Sequence, residues 1–240
     1  MSNNYFRFKQ FVINQDKTAM KVGTDGVLLG VLANVNQQQP MHILDIGTGT
    51  GLIALMLAQR FSLSEIDAVE IDTDASEQAF SNFQLSPFAN RLHIINSDIS
   101  DYTPKKHYDL IVSNPPYFIN SLKAPNKQRT TARHTDTLSF SALATAVQRL
   151  LSSEGKCCII IPSDVYENVV SIFFQHRLYV QQAVFISHNS TKKAKRVVVS
   201  FSTEPCTEVD KSELYIEQTA GVYSAEFQKL VEPFYLFSEK

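Results

Sequence analysis

The sequence predicts an α/β fold, a mostly parallel sheet covered by helices on both faces with an antiparallel hairpin at one edge. Three observations carry this. From residue 42 onward, short apolar runs alternate with segments of helical periodicity, which requires helical crossovers between parallel strands. Runs such as Leu110-Ile111-Val112 and Cys157 to Ile161 are apolar at every position, as strands buried on both faces must be. The last two long runs, Val180 to Ser187 and Arg196 to Ser202, are joined by a polar turn with no helix between them, so they should pair antiparallel.

Taken in order, residues 5–22 come first. Phe6, Phe8 and Phe11 sit among Arg7, Lys9 and Gln10, and Asn14-Gln15-Asp16 is turn chemistry, which together read as a β-hairpin. Thr24 is placed to cap a short helix carrying Val27, Leu28, Val31 and Leu32, and polar residues Asn36 to Gln39 follow as a loop. The first strand of the alternating region is His42 to Ile46, and its helix runs from about Leu52 to Arg60. The second strand is Ile66 to Ile71. The helix after it opens at Asp72-Thr73-Asp74 and sets Ala75, Ala79 and Phe83 on one face, with Pro87 ending the unit. Leu92 to Ile95 and Tyr108 to Ser113 are the third and fourth strands, and a polar segment, 118–137, follows. Ser139 starts a helix striped by Phe140, Leu143, Ala144, Val147 and Leu151. Ser153 to Lys156 read as a turn, Cys157 to Ile161 as the fifth strand, and Asp164 as the cap of a helix to about Arg177. The hairpin strands bring the total to seven; residues 204–213 read as a loop and 214–240 as a terminal strand or helix.

At 240 residues, 44% hydrophobic and 19% charged, the chain has enough apolar material for one α/β domain with a real core. A net charge of -2 means that any basic surface must be local. Of the three cysteines, Cys157 and Cys158 are adjacent in an apolar run and Cys206 is isolated, which is neither a disulfide framework nor a metal-ligand spacing. No metal is expected, and a reduced, cytoplasmic setting fits best. The start has no signal-peptide character, and no apolar run approaches the roughly 20 residues of a membrane span.

Gly47, Gly49 and Gly51 lie between the first strand and its helix, where glycine lets the backbone turn sharply and lets a ligand come close. Glu70 and Asp72 end the second strand, where a carboxylate can accept from ribose hydroxyls; that role falls to Glu70, and Asp72 is better suited to cap the helix. A dinucleotide fingerprint is not met: the third glycine comes one residue early and Leu52 takes its place, closing the helix start that a pyrophosphate needs. S-adenosylmethionine has no phosphates and does not need it. Asp98, after the third strand, is suited to the adenine amine of that cofactor or to capping the residues that follow.

The fourth strand runs into Asn114-Pro115-Pro116-Tyr117. An aromatic exocyclic amine has its lone pair delocalised, and it must be pyramidalised before it can attack a methyl sulfonium. Two acceptors gripping its two hydrogens would do that: the Asn114 side-chain oxygen and the Pro115 carbonyl. Consecutive prolines fix φ and aim those carbonyls in advance. Tyr117 offers a ring on which a flipped base can stack, worth roughly 1–3 kcal/mol. No general base is needed, because the methylated amine is acidic enough to lose its proton to water.

On these residues the chain resembles the amino-group methyltransferases whose fourth strand ends in Asn/Asp-Pro-Pro-Tyr, and within them the bacterial tRNA1(Val) adenine-N6 methyltransferase family. The resemblance extends over Phe6-Arg-Phe-Lys-Gln-Phe11, Lys21-Val-Gly-Thr24-Asp25-Gly26, Asp45 to Gly51, Asn114 to Tyr117 and Arg133-His134. It implies a doubly wound, Rossmann-like seven-stranded sheet, S-adenosylmethionine as cofactor, and a tRNA substrate methylated at adenosine 37. It also implies that Thr24-Asp25 lies near the methionine end of the cofactor and that Asp45 and Gly47 line its pocket. Residues 1–240 then form one methyltransferase domain, with the hairpin and helix of residues 1–40 covering the cofactor site.

A polyanionic partner needs cations, and these cluster. Lys123, Lys127, Arg129, Arg133 and His134 follow the Asn-Pro-Pro-Tyr motif, and Lys192, Lys193, Lys195 and Arg196 fill the last hairpin turn. Each run could be a solvated loop, but a basic segment at the active-site edge can order around a flipped nucleotide. The alternative is a glutamine-amide methyltransferase acting on protein. Such enzymes resemble this chain less, because they carry a helical domain before the glycine loop and only about 40 partly strand-like residues stand there here. A DNA adenine methyltransferase would need a separate target-recognition region.

Overall fold

A computed structural model of the chain describes residues 3–18, 21–35, 41–116 and 138–237. The expected N-terminal hairpin is β1 (Tyr5–Arg7) paired antiparallel with β2 (Val12–Asn14). Phe8, Phe11 and Ile13 are buried, and Asn82 fastens the hairpin by accepting from Asn14 N (2.9 Å) and donating to the carbonyls of Asn14 (2.9 Å) and Thr50 (2.8 Å). Helix α1 spans Thr24–Leu32. Its N-cap is Gly23, whose backbone is already extended (φ -129°, ψ 163°), so Thr24 is the first helical residue and not the cap.

The alternation then proceeds as β3 (His42–Ile46), α2 (Leu52–Arg60), β4 (Glu65–Glu70), α3 (Thr73–Gln84), β5 (Leu92–Asn96) and β6 (Tyr108–Ser113). Asp72 caps α3 as expected, accepting from Ala75 N at 2.8 Å. After α4 (Phe140–Leu150), capped by Ser139, the chain enters β7 (Leu151–Pro162). The expected turn at 153–156 is a bulge within β7. Tyr108 pairs with Leu151, but Leu110 pairs with Lys156, so two steps on β6 face five on β7. Gly155 permits the excursion, since a Cβ there would lie 2.8 Å from the Tyr108 carbonyl. Leu151, extended at φ -73° and ψ 137°, starts this strand and does not continue the helical stripe.

Helix α5 (Tyr166–Gln175) is preceded by a 3-10 turn, Ser163–Val165. Because the chain begins to coil at Ser163, Asp164 lies inside that turn and Val165 occupies the N-cap without a side-chain bond. Strands β8 (Tyr179–Ser187) and β9 (Arg196–Ser202) form the antiparallel hairpin. They are followed by β10 (Asp210–Tyr215), the small hairpin β11 (Glu217–Thr219) and β12 (Val222–Tyr223), and α6 (Ala225–Val231).

The main sheet has the order β10-β8-β9-β7-β6-β3-β4-β5, and every neighbouring pair is parallel except the two that involve β9. It is one strand wider than the seven expected: β10 adds to the outer side of β8, so the hairpin sits one strand in from the edge. One core face holds apolar side chains of α1, α2, α3 and α6, the other those of α4 and α5. No helix among the described residues is long and apolar enough to cross a membrane.

Register sets the functional edge. Ser113 of β6 lies beside Ile46 of β3, Ile46 beside Val69 of β4, and Glu70 of β4 beside Asn96 of β5. Four carboxyl ends therefore finish level with one another, the arrangement in which open α/β sheets bind ligands.

Candidate active site

The chain leaves β3 through Gly47, Gly49 and Gly51, at φ +71°, +56° and +82°. Gly47 N and Thr48 N both donate to the Val69 carbonyl (2.8 and 3.2 Å), and Gly49 N donates to Glu70 Oε2 (2.8 Å). A Cβ on Gly47 or Gly49 would meet nothing within 4 Å, so their backbone borders open space that a ligand can enter. Gly51 serves packing instead: a Cβ there would fall 2.5 Å from the Phe83 ring.

Asp45, one residue before the end of β3, is fully buried. Its Oδ2 accepts from the Thr48 hydroxyl (2.7 Å) and from Ala54 N (3.2 Å). Among the described residues its Oδ1 has no hydrogen-bond partner. Burial pushes the carboxyl up to about 7, against the Thr48 and Ala54 bonds, and the negative charge of Glu70 adds to the rise. A buried carboxylate oxygen without a donor suits a cationic ligand group. The α-ammonium of S-adenosylmethionine is such a group, and the uncovered glycine backbone leaves room for the rest of the molecule.

A pH dependence follows. Without ligand, the fold holds the Asp45 proton more tightly than the unfolded chain does, so Asp45 favours the folded state most at acid pH and this contribution is lost as pH rises through about 7. A cation at Oδ1 prefers the ionised form. Cofactor affinity should therefore rise with pH up to about 7 and then level off, with proton release on binding below that pH. Calorimetry in two buffers of different ionisation enthalpy reads the released proton, and Asp45→Asn should abolish the slope.

Glu70 is buried, and both its oxygens are engaged, Oε2 by Gly49 N and Oε1 by Asp72 N at 3.0 Å. It is thus a strut of the glycine loop as well as a candidate acceptor for ribose. Asp98 accepts from Ser100 N at 2.8 Å, capping the turn after β5. Arg149 of α4 clamps that turn, donating to the carbonyls of Tyr102 (2.7 Å) and Ile99 (2.9 Å). Tyr102 also donates to Asp67 Oδ2 at 2.9 Å. Burial works against the charge on Asp67, but the Tyr108 hydroxyl, Lys106 and Tyr102 outweigh it and hold the carboxyl below the usual range.

Thr24 and Asp25 begin α1. A Cβ on the adjoining Gly26 would lie 2.9 Å from Leu52 Cδ2, so this first turn rests on the first turn of α2, directly after the glycine loop. Asp25 Oδ2 accepts from Arg196 Nε at 2.7 Å. In the sequence Arg196 stands out only as one of the basic residues of the hairpin turn.

Asn114 and Pro115 leave β6 next to this loop, where the Ser113 hydroxyl ties the two strand ends by donating to the Ile46 carbonyl at 2.8 Å. Asn114 is half-buried and Pro115 buried. Tyr117, Lys123, Lys127, Arg129, Arg133 and His134 lie outside the described residues. Lys192, Lys193 and Lys195 are exposed in the β8–β9 turn. The structure thus brings Asp25, Asp45, the glycines, Glu70, Asp98 and Asn114 to one sheet edge.

Residues 21–185 match the family model of the methyltransferase small domain. A curated tRNA1(Val) (adenine(37)-N6)-methyltransferase of Parabacteroides distasonis is 45% identical over 238 residues, covering 98% of this chain and 99% of its own. A solved structure of a predicted O-methyltransferase from Agrobacterium tumefaciens has a TM-score of 0.70 at 18% identity, over 88% of this chain and 96% of that one. A glycopeptide N-methyltransferase solved with S-adenosyl-L-methionine has a TM-score of 0.54 at 11% identity, over 70% of this chain and 90% of that one. These two structural likenesses concern the fold.

Proposed function

The chain belongs to the tRNA1(Val) (adenine(37)-N6)-methyltransferase family, within the small methyltransferase domains, and on that premise we propose that it transfers a methyl group from S-adenosylmethionine to N6 of adenosine 37 in tRNA1(Val). The observation that supports this most is the register of β6 on β3, which sets Asn114 next to the glycine loop.

When bound, S-adenosylmethionine supplies an electrophilic methyl group on a sulfonium. Asp45, Gly47 and Gly49 would hold its amino-acid end with Thr24-Asp25 alongside, Gly51 would shape the loop, and Glu70 and Asp98 would hold its nucleoside. The Asn114 side-chain oxygen and the Pro115 carbonyl accept the two hydrogens of the target amine and draw it toward tetrahedral geometry. Tyr117 stacks on the flipped adenine. The proton leaves to water. The N-terminal hairpin and α1 close over the cofactor within a single domain working in the cytoplasm. Lys123, Lys127, Arg129, Arg133, Lys192, Lys193 and Lys195 grip phosphates, which fixes the RNA without reading its sequence.

Replacing Lys192, Lys193 and Lys195 together with Ala should raise KM for tRNA about tenfold or more and leave cofactor affinity unchanged. Every phosphate that goes without its lysine should flatten the log–log salt dependence of RNA binding by roughly 0.7–0.9. Salt-insensitive substrate binding, unaltered by these substitutions, would favour a protein amide as the acceptor.

A further inference from the structure

Arg196 opens β9, the reversed strand, and reaches Asp25 across 171 positions of sequence. Its backbone is fixed on both sides, paired with Pro162 of β7 and Ile186 of β8. The residue before it is equally held. The Lys195 carbonyl accepts from Ser163 N (3.2 Å) and Arg196 Nη1 (3.1 Å), Lys195 N donates to the Ile186 carbonyl (3.0 Å), and the Ser163 hydroxyl donates to the Ala194 carbonyl (2.5 Å). The guanidinium therefore leaves a rigid corner in a set direction.

Asp25 stands on a helix docked as closely as glycine allows. A Cβ at Gly26 would meet Leu52 at 2.9 Å and one at Gly30 would meet Met56 Sδ at 2.6 Å, so α1 lies flush on α2. Yet the start of α1 has no side-chain cap, because Gly23 occupies that position. The ion pair itself is partly solvated, with 34% of the Arg196 and 27% of the Asp25 side chain exposed. Pairs this exposed add little to folding, so stability is a weak reason for building one on so rigid a corner.

We propose that Arg196 is a positioning residue for the methyl-transfer site: by holding Asp25 it fixes the first turn of α1 against the glycine loop, so the cofactor's amino-acid end meets a preformed wall. The proposal rests on the reading of that loop as the cofactor site. The basic turn and the cofactor pocket share this corner, since Lys195 and Arg196 are consecutive.

The test is calorimetric affinity of the full chain for S-adenosylmethionine, with steady-state transfer and melting temperature, for wild type, Arg196→Ala, Arg196→Lys, Asp25→Asn and the Ala/Asn double variant. Arg196→Ala should raise Kd and cofactor KM about threefold to fivefold, the most that a pair this exposed supplies, while kcat at saturating cofactor stays within about twofold. Arg196→Lys should recover part of the loss, because it keeps the charge without the planar fork. The double variant should bind about as weakly as Asp25→Asn alone, since without Asp25 the guanidinium has no ion pair left to lose. An unchanged Kd in Arg196→Ala, or losses that add in the double variant, would overturn the positioning role. So would equal impairment in the Ala and Lys variants that tracks a fall in melting temperature. A wild-type chain that binds no cofactor would overturn the underlying site reading, and the proposal with it.

Discussion

Asn114→Ala is expected to lower kcat at least about 100-fold, the cost of removing one oriented polar group from a reaction centre, while affinity for S-adenosylmethionine stays within about twofold of wild type. The contrast comes from placement. Asn114 directly follows β6 at the edge shared with the glycine loop, whereas the groups assigned to the cofactor stand on or directly after β3, β4 and β5 and on α1. Truncation would remove the proposed acceptor of the target amine, while the glycine loop keeps its bonds to Val69, Glu70 and Asp45. Asn114→Asp keeps an acceptor oxygen and should retain part of the activity. Single-turnover transfer beside cofactor calorimetry measures the split; near-wild-type turnover of the Ala variant would remove Asn114 from the chemistry.

Glu70→Ala should weaken cofactor binding by about 1–3 kcal/mol, the penalty for leaving buried hydrogen-bonding groups unpaired. Two effects combine. Gly49 N and Asp72 N lose the acceptors they reach at 2.8 and 3.0 Å, which loosens the glycine loop and the entry to α3. On the proposed reading the ribose hydroxyls would lose a carboxylate as well. Glu70→Gln keeps one oxygen but turns an amide NH2 toward a backbone donor, so it should fall between wild type and Ala. Calorimetry with the cofactor alone decides this, and unchanged affinity in Glu70→Ala would leave the residue a purely structural part of the loop.

The central elements were legible because their constraints are local. His42–Ile46 and Tyr108–Ser113 are apolar runs bounded by turn chemistry, and Leu52–Arg60 opens directly after Gly51, so the expected and observed limits coincide. β10 was not legible. Its sequence Asp-Lys-Ser-Glu-Leu-Tyr buries one side chain, Leu214, as an edge strand can afford to, and nothing in its polarity separates it from a loop. The bulge in β7 has the composition of a turn and is one locally, with the strand resuming on its far side. Asp72 was readable as a cap from position alone, whereas the double engagement of Glu70 depends on how the loop folds back over it. The bond between Arg196 and Asp25 needs the full strand order, because only the reversed β9 brings position 196 to the edge where α1 begins.

Tritiated methyl transfer to separate total RNA, DNA and protein fractions, followed by nucleoside and amino-acid analysis, decides whether the acceptor is an adenine amine of tRNA. Label should enter the tRNA fraction and elute as N6-methyladenosine; label confined to protein as methylglutamine would contradict that assignment.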